Sequence, residues 1–290
     1  MVSLLGRPTN NDLRGRTRSF PRRRLALLSL LAPPAVLVAV AIVGPLLVPY
    51  SPIDVVARPD QPPSTEHWFG TDVYGLDVFS RVIAATRNDL TVGLVAALLA
   101  TALGIAVGLF TGTNESRRGF AGGLARGVTR GLDLFDALPQ IVVGLVLLAF
   151  FGRDLLTLAV VCGLLMIPTQ ARVVRTEVLR VRTEAYLESA RLAGESTFGV
   201  LWRHVLPNSV WPALENASYI FGIAVTVAAG LGFLGVGLPP PTPEWGSMIA
   251  DGATAAAAGR WWSSFFPCLA LAVTVVIMSN LSHRYLSARN

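Results

Sequence analysis

Lysine is absent: every one of the 24 basic residues among 290 is arginine, which we read as codon usage in a GC-rich genome rather than as chemistry. Charge of any sign is scarce, at 14% of residues, where soluble domains carry about a quarter. There are two cysteines, Cys162 and Cys268, and both fall in apolar stretches. They make no disulfide framework, and no Cys/His cluster has metal-ligand spacing, so they read as small buried apolar side chains. The chain also lacks a GxxxxGK[ST] run, a GxSxG elbow, an HExxH pair and paired intramembrane acids. These absences exclude P-loop phosphate binding and the common hydrolase and protease chemistries. No catalytic residue, metal or cofactor is expected in this chain.

What the sequence does have is apolar surface: 52% hydrophobic residues and a mean hydropathy of +0.56. Together with the low charge, this points to a lipid-embedded protein. The net charge of +6 raises nucleic acid as a partner, but arginines clustered between apolar runs fit membrane orientation better. No nucleic acid partner is expected.

A bilayer core takes about 20 apolar residues in a helix. Runs of about that length lie at 25–48, 90–112, 131–151, 155–169, 210–236 and 265–281, the fourth being short with an uncertain end at Pro168. The first follows Arg22, Arg23 and Arg24, exceeds a signal-peptide core and lacks a cleavage site, so it reads as an uncleaved anchor. With the N-terminus inside, 19 arginines fall in inner segments and five, Arg58, Arg81, Arg87, Arg153 and Arg260, outside. That split follows the positive-inside rule. The expected fold class is an all-α integral membrane protein with six transmembrane helices and both termini in the cytoplasm. It divides into a basic N-terminus (1–24), a first span (25–48), an extracytoplasmic Pro-rich loop (49–88), a transmembrane domain (89–284) and a tail (285–290).

The outer loops carry proline clusters and the tryptophans Trp245, Trp261 and Trp262, which suit a headgroup belt. The proline-rich stretches are either a rigid docking surface or ordinary turns, and the sequence leaves both open. Gly104 and Gly108 form a GxxxG pair suited to close helix packing. Asp133 and Asp136 stand where the third span is expected to open, which favours capping over a substrate contact. Glu215, early in the fifth span, is an ionisable group near membrane depth and so a candidate for the translocation path, or an interfacial residue. His204 reads as a loop packing residue.

The inner connection 171–207 is too polar to span and too long for a simple turn. Val178, Val181, Ala185, Leu187, Leu192 and Ala193 recur at helical spacing. Gly194 is placed to stop one helix, Ser196 and Thr197 to cap the next, and Pro207 to end it. The expectation is a helix, a turn and a second short helix projecting into the cytoplasm. Glu188-Ser189-Ala190, then Gly194, then Val205-Leu206-Pro207 resembles the coupling-loop motif of bacterial ABC importer permeases. Arg203-His204-Val205-Leu206-Pro207-Asn208 is similar to the dipeptide and oligopeptide branch, with Ser189 where alanine is usual.

Two further stretches, His67 to Arg81 and Phe233 to Gly246, resemble the C-type subunit of that branch, with Leu76 where arginine is usual. The likeness covers about residues 20–288. It implies a non-catalytic permease in the bacterial cell membrane, half of a pore for dipeptides or oligopeptides. The implied partners are a second homologous permease, two ATP-binding cassette subunits that hold ATP and Mg, and an extracytoplasmic substrate-binding protein. Glu188, Ser189, Ala190, Gly194, Leu206 and Pro207 are the implied ATPase-coupling residues: Glu188 supplies a carboxylate to a partner donor, and the small residues admit close approach. Nickel chelates, glutathione and haem remain alternative cargoes. A proton-driven secondary transporter is the alternative from another class; it needs intramembrane ionisable relays and usually internal repeats, whereas these spans are nearly free of charge and show no repeat.

Overall fold

The computed structural model describes the backbone of residues 20–287, and side chains for 31–281 except 188, 189, 191, 197 and 198. Ten α-helices occur among these residues, with no strand beyond one isolated Thr71–Asp77 bridge. They are α1 (Phe20–Leu47), α2 (Val78–Asn114), α3 (Phe120–Asp136), α4 (Gln140–Phe151), α5 (Leu155–Val181), α6 (Ala185–Leu192), α7 (Thr197–Val200), α8 (Leu206–Phe233), α9 (Trp245–Ala257) and α10 (Trp262–Ser287). A π-helical turn, Leu201–Val205, joins α7 to α8.

Four helices are long and apolar enough to cross a bilayer: α2, α5, the π turn with α8, and α10 over Trp262–Leu281. The expected third span is not a straight rod. Its residues are divided between α3 and α4, which meet at 95°. The break follows from Leu138-Pro139, because proline disfavours helix in the residue before it. The 12 residues of α4 reach only about 18 Å, short of a hydrocarbon core of about 30 Å. Leu31–Leu47 within α1 is a shorter apolar helix. The described residues therefore give four spans, or five with α3–α4 taken as one broken span.

Close packing of α2 on α5 centres the bundle. Gly104, Gly108 and Gly112 lie on one α2 face, and a Cβ at each would sit under 3 Å from Gln170, Val174 or Ala171, and Val178. The GxxxG pair thus brings two backbones together. The main core is built from α2, α4, α5 and α8, with Leu238, Trp245 and Met248 sealing one end. A separate small cluster, Val174, Val178, Val181, Leu187, Val200, Val205 and Ala213, forms at the other end.

Several boundaries differ from the sequence expectation. Helix α2 begins twelve residues before residue 90, because Asp77 caps it: its carboxylate accepts the Ser80 N–H. Helix α5 runs through Pro168 to Val181. Pro207 does not end a helix but stands at the start of α8. The wider π turn before it, closed by the Leu206 N–H to Leu201 O bond, brings the chain to the first turn of α8, where a missing amide costs little.

Candidate functional site

Two polar constructions stand out, one at each end of the bundle. The first, at residues 182–208, is an elbow. Gly194, with φ of +85°, reverses the chain between α6 and α7, a conformation that L side chains avoid. Among the described residues, nothing beyond its chain neighbours lies within 4 Å of a Cβ built there. Ser196 caps α7, its Oγ accepting the Gly199 N–H at 3.1 Å. Glu195 then ties the turn to the helix that follows: His204 Nε2 lies 2.9 Å from Glu195 Oε2 and Arg203 3.4 Å from Oε1. Asn208 donates to Tyr186 Oη at 3.2 Å and so links α8 to α6. Buried Leu187 and half-buried Ala190 seat α6 on the second apolar cluster. Leu192 and Trp202 remain 85% and 56% exposed, so the outward side of the elbow presents apolar surface beside its charges.

Of the residues singled out in the sequence, Ala190 packs inward, Gly194 forms the turn, Leu206 is half-buried and Pro207 exposed. The side chains of Glu188, Ser189 and Thr197 lie outside the described residues, as do residues 1–19 and 288–290. Asp133 does not open a span: it sits in the last turn of α3, where it and Asp136 receive Arg172 of α5 at 3.3 and 3.0 Å. Glu215 is half-buried in α8, one residue from the polar node described next.

That node is Gln170, fully buried on α5. Its amide donates to Ala213 O at 2.6 Å, and its oxygen accepts Asn216 Nδ2 at 2.7 Å. It pins α8 to α5 inside the bundle. Sequence reasoning passed over it, although a glutamine in an apolar run is the kind of signal that marks an internal contact.

The second construction is a clamp at the opposite end, where residues 48–77 fold against 234–264. Asp77 accepts from Ser80 N, Ser80 Oγ and His67 Nδ1 at 2.8, 2.7 and 2.9 Å, with His67 and Asp77 both buried. Asp72 takes the N–H groups of Tyr74 and Leu76 at 2.9 Å. Arg81 sits 3.6 Å from Asp72 and donates to Pro52 O. Burial nonetheless pushes the Asp72 carboxyl above its ordinary value. Leu76 itself is buried, its side chain standing where the resembling pattern has arginine.

Two of the three tryptophans are buried against protein rather than offered to a headgroup belt. Trp245 Nε1 donates to Val82 O, its N–H to Asp89 Oδ2, and Trp262 Nε1 to Thr71 O, at 3.1–3.2 Å. Of the three, only Trp261 is substantially exposed. Glu244 enters a slot made by Gly232 and Gly237, where a Cβ on either glycine would collide with its carboxylate. It accepts the Leu238 N–H at 2.9 Å, and burial pushes its pKa up to about 7. Beside the clamp lies a cavity of about 330 Å³ whose lining includes Tyr74, Arg81, Arg153, Pro241 and Asp251. Burial raises the Asp251 carboxyl, and its charge raises the Tyr74 phenol. Among the described residues, no group of three His, Cys, Asp or Glu side chains is placed to hold a metal.

Residues 104–290 match the family model described as binding-protein-dependent transport system inner membrane component. The chain is 30% identical over 260 residues to a dipeptide transport system permease protein of Alkalihalophilus pseudofirmus, covering 89% of this chain and 83% of that one. It is 30% identical over 240 residues to a protein of the same description in Bacillus subtilis, covering 82% and 73%. A glutathione transport system permease protein of Pectobacterium atrosepticum is 32% identical over 247 residues, covering 84% and 80%.

Proposed function

Because the chain belongs to the binding-protein-dependent transport system inner membrane components, we propose that it is the permease subunit of an ATP-driven peptide importer. The elbow is the observation that carries the coupling part of this reading. A docked ATPase subunit bears on α6 and the Gly194 turn, with Glu188 offering it a carboxylate. Ser189 keeps the surface small, Ala190 lets α6 sit close on its apolar cluster, and exposed Leu192 and Trp202 add apolar contact. Motion received there passes into α8 without a break, since α7, the π turn and α8 are contiguous from Thr197 to Phe233. Gln170 ties α8 to α5, so the two spans move as a pair. The charge relays of a proton-driven carrier play no part in this scheme.

In the assembled importer the chain supplies half of the pore, and a second related permease supplies the other half. Two ATPase subunits bind ATP and Mg²⁺, and a binding protein delivers cargo from outside. We place six crossings, α1, α2, α3–α4 as one broken crossing, α5, α8 and α10, with both termini and the elbow inside the cell. The 19 to five arginine distribution supports that orientation. The clamp then faces the binding protein, and Glu215 and Asp133 lie on the inner half, Asp133 as a structural ion-pair partner of Arg172.

Peptides are the cargo favoured by the relatives' names, and glutathione, itself a peptide, falls in the same class. Uptake into proteoliposomes holding the complete complex, binding protein and ATP tests this with labelled di-, tri- and longer peptides, glutathione, nickel chelates and haem. ATP-dependent peptide accumulation is the expected result. Accumulation of only nickel chelates or haem contradicts the peptide cargo.

A further inference from the structure

Helix α3 is built as a surface helix with two unlike sides. Towards the bundle it is pinned. Gly122 and Ala125 are buried, Asp133 and Asp136 hold Arg172, and in the preceding turn Glu115 holds Arg175 at 2.7 Å. Every carboxylate of 115–136 is thereby paired with an arginine of α5. Away from the bundle, Phe120, Leu124 and Leu134, with Leu138 just past the helix, are 87%, 48%, 73% and 52% exposed. At helical periodicity these four share a sector about 80° wide. Arg117 and Arg118 stand in the turn just before the helix, and Arg130 and Arg126 lie about 40° and about 80° beyond one edge of the stripe; none of the four has a carboxylate partner among the described residues. Arg126 donates to the carbonyls of Glu115 and Arg117 and Arg117 to Asn114 Oδ1; Arg118 and Arg130 stand on the exposed surface.

The 95° bend at 137–139 decides the orientation. If apolar α4 enters the bilayer along its normal, α3 runs along its surface. An apolar stripe on a helix in that plane, with arginines free of carboxylates along one edge and in the turn before it, is the pattern of an interfacial helix, and arginines at that depth attract anionic headgroups. We propose that α3 lies in the inner headgroup region and that Arg117, Arg118, Arg126 and Arg130 form a binding site for anionic phospholipid, with Phe120, Leu124 and Leu134 inserted beneath the phosphates. The lipid fixes the inner end of the broken α3–α4 element, which has no long helix of its own to anchor it.

The test uses the assembled transporter in nanodiscs of phosphatidylcholine, with and without phosphatidylglycerol. A spin label at Leu124→Cys, in a Cys268→Ser background with Cys162 buried, reports depth. The label is expected to relax more with oxygen than with a water-soluble nickel chelate. The preference for phosphatidylglycerol over phosphatidylcholine among retained lipids is expected to fall about fivefold for each arginine removed in Arg118→Gln and Arg130→Gln, and to return in the lysine variants. Equal exposure of the label to the nickel chelate and to oxygen places α3 in water and overturns the proposal. Shielding from both reagents replaces the lipid with a protein partner and also overturns it, as does an unchanged lipid preference in Arg118→Gln/Arg130→Gln. Peptide uptake by the same preparation reads the transport function separately.

Discussion

At the clamp, the irregular backbone is tied down by buried side chains: Asp77 holds His67 and Ser80, Asp72 holds two amides and Arg81, and Glu244 fills a slot between two glycines. At the elbow, a handful of aliphatic side chains seats α6 while the polar contacts stay near the surface. Buried polar networks fix one geometry because any displacement strands an unpaired group. A small apolar cluster tolerates sliding, since its contacts have no direction. The comparison teaches that one end of this bundle is built to hold its shape and the other to yield.

Breaking the clamp has the largest expected effect. Asp77→Ala leaves the buried His67 ring nitrogen without its partner, at about 1–3 kcal/mol, and removes the cap of α2, at about 1 kcal/mol more. The expected outcome is a sharp fall in thermal stability of the solubilised chain and in its amount in membranes. At the elbow, Leu187→Ala opens a cavity in the small cluster at a local cost of about 2–5 kcal/mol. Hydrogen exchange is expected to rise across 185–205, while the clamp stays protected and membrane insertion is retained. Loss of clamp protection in that variant would erase the distinction between the two ends.

The next effect is a pH dependence confined to the clamp. Burial raises the Glu244 carboxyl to about 7, against an ordinary 4.5, so the folded state holds the proton more tightly. The stability linked to this group is fully present below about pH 4.5 and is lost as pH rises through about 7. Exchange at 238–246 is expected to quicken from pH 5 to 8 in the wild type and to stay flat in Glu244→Gln. Smallest is Gly194→Ala, which forces a side chain into the left-handed region for about 1–2 kcal/mol. It is expected to lower uptake with little change in melting temperature, because its Cβ meets nothing.

The apolar runs located the long helices because a span must be continuously apolar, whatever it packs against. Their ends were less legible. Helix α2 extends over Arg81 and Asp89, which read as loop because their charge is visible in sequence while the clamp groups that meet it are not. The α3–α4 bend was written only in Leu138-Pro139, inside a run whose average hydropathy hid it. Pro207 read as a stop because the π turn that accommodates it has no sequence mark of its own. At the elbow, Gly194 was legible as a turn because a positive φ has few substitutes, whereas the Glu195–His204 tie spans nine residues and depends on how the turn folds. Gln170 was visible as a polar residue, but its role depends on a bare carbonyl at Ala213.

The central claim is that the elbow carries the work of ATP into the spans. It is tested most directly by peptide uptake in proteoliposomes containing the complete complex, with wild-type chain or Glu188→Arg, at matched levels of inserted permease. The account predicts ATP-dependent accumulation in the wild type and its loss in Glu188→Arg, with hydrogen exchange at the clamp unchanged. Normal ATP-dependent uptake by Glu188→Arg would contradict it.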